Sequence, residues 1–452
     1  MQPRNLALQV LNRLDLHSIP TENYLVELFQ RDLRLSERDR AFTVHLIQGV
    51  LRWRLRLDWI IEKTASFPFR KIENPVLNVL RLALYQIFFM DRVPDSAAVN
   101  EAVKQVKTIA ENHVVRSVNG ILRQVCRDKE QVVFPPREAG LARYLSVRHS
   151  FPEWLVRKWL KEVGPGTTEG LLEASNLVPR LVVRTNTLKI RRHALIRYLE
   201  GEGLSAGPAH YAPDGVILEG NRGPVDRIPG FQSGLFQVQG EMAQVCSQLL
   251  SPRPGEEILD LCSGVGGKST HMAQMMENSG RILALDRSPG KLIKLAENSR
   301  RLGIRTIESV VGDASEDLAN MVRMRFDRIM VDGPCSALGI ISRHPDVKWN
   351  RDENDIFRLS SLQMKILSGS VPLLVEGGRM LYVTCTLSRT ENEGVVEGFL
   401  REQREMKLID LRADSPEWCS ELLDDSGFLK SYPHVHGTEG FFGALFEKQG
   451  LD

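Results

Sequence analysis

No two of the six cysteines, Cys126, Cys246, Cys262, Cys335, Cys385 and Cys419, form a C-x-x-C pair. That argues against a zinc site or a thioredoxin-type motif. No metal is expected, and unpaired thiols suit a reducing compartment. No run reaches the ~18 consecutive apolar residues of a membrane span, so no membrane partner is expected. The opening Met1-Gln2-Pro3-Arg4-Asn5 is not followed by an apolar signal-peptide core; a cytoplasmic protein is expected. Repeats of ~20–50 residues are absent, as are low-complexity tracts. Net charge is also small, +2, but it is unevenly spread. Residues 1–140 hold 21 Lys+Arg against 16 Asp+Glu, residues 141–240 hold 13 against 9, and the remainder 25 against 32. Two basic front modules before an acidic one suit a polyanionic partner that the last module alone would hold poorly.

What is present is enough apolar sequence, 42% of 452 residues, for several cores. Residues 1–135 read as all-helical, with apolar residues at helical spacing in Leu6-Leu8-Val10-Leu11-Leu14 and Val76-Leu77-Leu80-Leu84-Ile87-Phe88. Ser36 is placed to cap a helix. Arg52, Arg54 and Arg56 alternate with Trp53, Leu55 and Leu57. They fit either a phosphate grip with Trp53 for stacking or solvated arginines behind an apolar face. Phe134-Pro135-Pro136-Arg137 looks like a linker. Residues 141–235 read as a small α+β domain, basic at Arg180, Arg184, Lys189, Arg191 and Arg192. That suits an RNA-contacting platform or an ordinary solvated face.

Residues 236–448 alternate strands and helices. Strands are expected at 257–261, 281–286, 306–311, 326–331 and 378–384, and helices at 267–277, 289–302, 352–374 and 389–401. This is the pattern of an α/β, Rossmann-type, parallel doubly wound sheet.

Three stretches of that last domain carry chemistry. The first βα turn is Asp260-Leu261-Cys262-Ser263-Gly264-Val265-Gly266-Gly267-Lys268-Ser269. A Walker A loop would need glycine where Cys262 stands, and a dinucleotide fingerprint from Gly264 would need it at Ser269. An acid before the glycines suits a nucleoside cofactor without phosphate, such as S-adenosylmethionine. Asp286 ends the second strand with the right polarity for ribose hydroxyls, and Asp313 follows the third strand, placed for adenine. The other two stretches, Val331-Asp332-Gly333-Pro334-Cys335-Ser336 and Tyr382-Val383-Thr384-Cys385-Thr386, each put a cysteine just past an apolar strand. Free cysteines are often simply small buried residues, but two at the carboxyl ends of strands also suit a shared site.

These stretches resemble the RNA cytosine-C5 methyltransferases, specifically the bacterial small-subunit ribosomal RNA enzymes of the RsmB/Sun type. The glycine turn is similar to D-L-C-A-A-P-G-G-K. Asp332-Gly333-Pro334-Cys335-Ser336 with Arg343-His344-Pro345-Asp346 is similar to D-A-P-C-S-G and R-R-H-P-D, and Thr384-Cys385-Thr386 with Glu391-Asn392-Glu393 to S-T-C-S and E-N-E. His436-Gly437-Thr438-Glu439-Gly440-Phe441-Phe442 looks like the family's end motif. Ala98 to Val103 and Val118 to Arg123 look like its N-terminal NusB-like domain.

The resemblance implies S-adenosylmethionine as cofactor, held by Cys262, Ser263, Gly264, Val265, Gly266, Gly267, Lys268, Asp286, Asp313 and Asp332. It implies 16S ribosomal RNA as partner and three catalytic residues: Cys385 as nucleophile, Cys335 for release, and Asp332 at cytosine N3. The cofactor loop, Asp332, Cys335 and Cys385 are expected together, because the fourth and fifth strands should adjoin the first. Lys268 and Lys348 are candidates to lower a thiol pKa or to hold phosphate. Gly240, Ser263, Gly264, Val265, Gly333, Ala337 and Ser342 depart from the family pattern, which bears on loop rigidity and cofactor affinity. A monomer is expected. The alternatives are a tRNA methyltransferase of the same chemistry and a non-catalytic RNA-binding or antitermination factor; a binding module needs neither Cys335 nor Cys385.

Overall fold

The computed structural model describes residues 2–16, 21–31, 35–220 and 223–450. The chain divides into two compact units, Met1–Leu177 with Ile341–Arg351, and Val178–Ile340 with Asp352–Asp452.

The first unit is helical. Its helices are α1 (Pro3–Leu16), α2 (Thr21–Arg31), α3 (Glu37–Thr64), α4 (Asn74–Phe89), α5 (Asp95–Lys107), α6 (Asn112–Arg127), α7 (Leu141–His149) and α8 (Glu153–Ala174). Ser36 caps α3 as its sequence suggests, accepting from the Asp39 N–H at 3.2 Å. The central helix is α4, buried continuously from Val76 to Ile87. A helix apolar on every side must be surrounded, and α1, α3, α5 and α6 supply its cover. By contacts, α7 and α8 fall in this unit rather than with the small α+β domain that follows them.

The alternating arginines of α3 are structural. Arg52 is buried and donates to the Ser342 carbonyl, and Arg54 pairs with Asp15 at 2.9 Å. Trp53 stacks on Phe89, and the Arg56 guanidinium lies over the rings of Trp53, Phe89 and Phe134. Trp53 is therefore taken up by the protein's own aromatic packing, and the phosphate-grip reading of this run is not supported.

Segment Ile341–Arg351 corrects a second expectation. It carries the R-H-P-D-like motif, yet it belongs to the helical unit. Lys348, considered above as a partner for a thiol or phosphate, is fully buried there. It donates to the carbonyls of Arg52 (3.0 Å) and Ser150 (3.1 Å) and to Asn176 Oδ1 (2.7 Å). Burial first, then the Arg52 charge, pushes its amine well below the ordinary lysine range. Three oxygens and the Phe151 ring, 3.7 Å away, oppose that push. All three of its donors are spent inside the unit. Lys348→Met should lower the stability of this unit by about 2–4 kcal/mol, because it strands buried acceptors. Urea unfolding followed by tryptophan fluorescence checks this; an unchanged midpoint would refute it.

The second unit opens with β1 (Leu181–Thr185), α9 (Arg192–Gly201), β2 (Ser205–Pro208), β3 (Gly215–Glu219) and β4 (Phe236–Val238). These strands form an antiparallel sheet in the order β2-β3-β1-β4. Next come α10 (Glu241–Leu250), β5 (Glu257–Leu261), α11 (Gly267–Met275), β6 (Arg281–Asp286), α12 (Pro289–Leu302), β7 (Ile307–Val311), α13 (Leu318–Met321) and β8 (Phe326–Asp332). The chain closes through α14 (Glu353–Ser370), β9 (Leu374–Thr384), α15 (Glu393–Glu402), β10 (Met406–Ile409), β11 (Leu429–Lys430) and β12 (Phe442–Lys448). The large sheet runs β10-β12-β9-β8-β5-β6-β7. The five strands β9-β8-β5-β6-β7 are parallel as expected, but the sheet is mixed: β12 is antiparallel to both β9 and β10. Among the described residues no helix is long and apolar enough to cross a membrane.

Arg184, read as part of a basic surface, is 0% exposed. Its guanidinium donates to the Gly267 carbonyl (2.8 Å), Thr270 Oγ1 (3.0 Å), Gln274 Oε1 (3.2 Å) and Gln239. It thus ties β1 of the small sheet to the first turn of α11, where the glycine loop ends. Lys189 is likewise engaged, with the carbonyls of Ser233 and Arg301; Arg180 and Arg191 remain exposed.

Candidate active site

Three strands bring the site together. β8 lies between β5 and β9, with Leu261 opposite Val331, and Asp332 opposite Val383. The loops leaving the carboxyl ends of β5, β8 and β9 are therefore neighbours, where open α/β sheets place ligands.

The glycine loop is tightly wound. Cys262 has φ 63°, Gly264 φ 60° and Gly266 φ 82°. At Gly266 a side chain is excluded twice, by that φ and by Leu295, whose Cγ would lie 2.6 Å from a Cβ. Cys262 is held in the same left-handed region despite its Cβ, a conformation kept only where the surroundings fix it. The Ser263 N–H donates to the Leu285 carbonyl and the Gly264 N–H to Asp286 Oδ2 at 2.9 Å. Asp260 is fully buried; its Oδ2 accepts from Ser269 Oγ at 2.5 Å, and its Oδ1 has no partner among the described residues. Burial lifts its pKa to about 7 against the pull of the Ser269 bond. Ser263 Oγ is also buried without a partner among the described residues, while Val265 is exposed. Asp313 accepts from the backbone N–H and the hydroxyl of Ser315, which hold its carboxyl below the usual range.

Four carboxylates, Asp332, Asp286, Asp260 and Asp313, act electrostatically on Cys262 and, after burial, push its thiol up to about 12. The loop's lysine does not relieve this negative field. Lys268 is buried and donates to Asp332 Oδ2 at 2.5 Å. Burial alone would discharge it, but Asp332 holds its pKa above the ordinary lysine value. Lys268 is thus committed to an acid rather than open to phosphate.

The two motif cysteines meet. Cys335 Sγ and Cys385 Sγ are 3.3 Å apart. The hydrogen bond to Cys335, then burial, raises the Cys385 thiol well above its ordinary value, with Lys268 the opposing charge. Behind the thiols, the neighbouring hydroxyls Ser336 Oγ and Thr386 Oγ1 lie 2.6 Å apart. The candidate cofactor and catalytic residues named above therefore lie at the carboxyl ends of the parallel strands, whereas Lys348 does not.

Sequence reasoning gave no role to Glu391, Gln363 or Ser269 and took Arg184 for surface charge, yet each supports a loop of the site. The E-N-E motif was the only sign of Glu391.

Two departures from the family pattern have physical explanations. Gly240, where the family pattern leads one to expect Asp, precedes α10 and makes no side-chain cap. Glu439 of the end motif occupies that space instead: a Cβ on Gly240 would lie 2.1 Å from its Oε1, and its Oε2 accepts from the Met242 N–H at 3.5 Å. A carboxylate is still supplied to the helix start, but from the other end of the domain. Ala337, where glycine is usual, sits at φ 61°, a conformation glycine adopts at less cost.

Comparison with known proteins matches this geometry to a family. Residues 247–447 match the 16S rRNA methyltransferase RsmB/F family, residues 1–127 the NusB family, and residues 151–226 the ferredoxin-like domain of RsmF/B-like methyltransferases. The chain is 32% identical to the probable ribosomal RNA small subunit methyltransferase B of Bacillus subtilis, over 99% of each chain. It is 33% identical to the ribosomal RNA small subunit methyltransferase B of Escherichia coli, over 99% of this chain and 98% of that one. The solved structure of NSun6 from Pyrococcus horikoshii with SFG aligns at a TM-score of 0.59 and 25% identity, over 67% of this chain and 100% of that one. With identity at this level sustained along almost its whole length, the chain belongs to the 16S rRNA methyltransferase RsmB/F family.

Proposed function

We propose that this protein transfers a methyl group from S-adenosylmethionine to C5 of a cytosine in small-subunit ribosomal RNA, through a covalent bond between Cys385 and cytosine C6. The observation that carries this reading is the pair of thiols 3.3 Å apart beside the Lys268–Asp332 pair. Two reactive groups at one pyrimidine are what C5 chemistry requires, and a binding module needs neither.

The donor set fits the cofactor. Asp260 Oδ1 and Ser263 Oγ are buried polar atoms awaiting partners, and such atoms are costly unless something satisfies them. Asp286 and Asp313 stand past the next two strands, for ribose and adenine. Four carboxylates without a free lysine favour a cationic ligand and disfavour a phosphate-bearing one. When bound, S-adenosylmethionine supplies an electrophilic methyl group.

Cytosine C5 is a poor nucleophile until C6 carries an electron-rich substituent. Cys385 sulfur adds at C6 and its proton departs, giving C5 enamine character. Cytosine N3 gains a proton in that step and gives it back on release, with Asp332 the residue that would hold it. Once C5 carries the methyl group, Cys335 takes the C5 proton, the C6–S bond breaks, and Cys385 leaves with the electron pair. The net change is a C5–H replaced by C5–CH3, with one proton released. The exposed arginines of the basic front modules would hold the RNA in the cytoplasm, where the protein would act.

Bisulfite sequencing of cellular RNA, with and without the protein, tests this reading. One protected cytosine in small-subunit ribosomal RNA should become convertible when the protein is lost. A change confined to tRNA, or none, would overturn the substrate assignment.

A further inference from the structure

Glu391 precedes Asn392, the N-cap residue of α15, and is 0% exposed. It reaches both cysteine loops. Oε1 accepts from the Ser336 N–H at 2.8 Å and from Gln363 Nε2 at 3.2 Å. Oε2 accepts from Ser336 Oγ at 2.5 Å and from Thr386 Oγ1 at 3.4 Å. Ser336 follows Cys335 in the chain, and Thr386 follows Cys385. Each cysteine is therefore succeeded by a hydroxyl residue, and the two hydroxyls meet as the two thiols do. Gln363 also donates to the Pro334 carbonyl at 2.9 Å, so the β8 loop is held on both sides of Cys335. Glu391's own backbone is fixed as well, since its carbonyl accepts from the Tyr382 hydroxyl at 2.6 Å.

A buried carboxylate is costly unless its lone pairs are occupied. Here four donors converge on it, so the arrangement is stable only while both loops keep this register. Nothing on Glu391 points at the thiols themselves. Its action on them runs through Ser336 and Thr386.

We propose that Glu391 is a positioning residue that sets the separation of Cys335 and Cys385 by clamping the hydroxyls beside them. The proposal rests on the reading that both thiols act on one cytosine, but it can be tested apart from that reading. Diamide takes one hydrogen from each thiol, becoming the hydrazine as an S–S bond forms. The rate of Cys335–Cys385 disulfide closure therefore reports thiol separation without any RNA.

Loosening a reacting group by ~1 Å can cost about 100-fold in rate. Glu391→Ala should accordingly lower kcat for RNA methylation about 100-fold and slow disulfide closure to a similar degree. The KM for RNA and the affinity for S-adenosylmethionine should stay near wild type, because the glycine loop is not touched. Glu391→Gln keeps the size and one acceptor oxygen, and should lose about tenfold in both measures. It carries the test if the alanine variant folds poorly. Parallel loss of kcat and disulfide rate supports the clamp. Unchanged values, or loss of kcat with an unchanged disulfide rate, overturn it. If disulfide closure slows as expected while the wild-type protein makes no methylcytosine, the clamp stands and the proposed function falls.

Discussion

Replacing Cys385 by alanine should reduce cytosine methylation by about 10⁴-fold or more while leaving S-adenosylmethionine binding intact. The size follows from the role: without a sulfur to add at C6, C5 has no route to enamine character, and no neighbouring residue offers an equivalent nucleophile. Cys335 is 3.3 Å away, but in the proposed mechanism it serves release rather than addition. Cofactor affinity should hold because Asp260, Asp286 and Asp313 belong to other loops. The same site predicts a pH dependence in the wild type. The hydrogen bond with Cys335, then burial, raises the Cys385 thiol well above its ordinary value. A thiol below its pKa gains about tenfold in thiolate per pH unit. Methylation limited by addition should therefore rise from neutral pH to pH 9. Single-turnover transfer of labelled methyl and calorimetric titration of the cofactor measure the two arms. Substantial turnover by Cys385→Ala would remove Cys385 from the nucleophile's place.

How much of this site was legible in the sequence differs from residue to residue. β5 and β6 run over Glu257–Leu261 and Arg281–Asp286, as read from their apolar runs, because a central parallel strand is buried on both faces and its sequence shows it. The strand ends then located both cysteines and the three strand-end aspartates. β12 was not legible. Phe442-Gly443-Ala444 begins with a weak strand signal, since glycine has no side chain to pack, and its place between β9 and β10 depends on pairing across a long stretch of chain. Arg184 was misread because a charge on a strand suggests solvent. Its partners Gln239, Gly267, Thr270 and Gln274 lie 55–90 residues away, and only they make burial tolerable. Lys348 misled for the same reason: the chain on either side of its segment belongs to the sheet unit, while its partners Arg52, Ser150 and Asn176 lie far away in sequence. Glu391 shows the general limit. Local spacing reveals strand ends and glycine turns, whereas a buried carboxylate is explained by donors that folding alone brings to it.

Cys335→Ala should have the opposite phenotype to Cys385→Ala: a protein that bonds to its RNA and fails to let go. In the proposed mechanism, addition at C6 needs only Cys385. Removing Cys335 also removes the largest influence raising the Cys385 thiol, the hydrogen bond between them, so the first step should be no slower and its pH dependence should shift towards neutral pH. Breaking the C6–S bond requires loss of the C5 proton, and a positioned base contributes about 10²–10⁴-fold to such a step. Turnover should fall by that factor while the covalent adduct accumulates. Labelled RNA incubated with S-adenosylmethionine and Cys335→Ala should migrate with the protein on a denaturing gel, and protease treatment should release it. The same adduct must be absent from the double variant lacking both thiols, which separates a bond through Cys385 from any other crosslink. Normal release by Cys335→Ala, or an adduct that persists without Cys385, would reverse or abolish the assigned order of the two cysteines. That order is the point on which the site's geometry is symmetric, with paired thiols backed by paired hydroxyls. Only the surroundings break the symmetry: Cys385 is raised by its neighbour and countered by Lys268, and Cys335 shares its loop with Asp332.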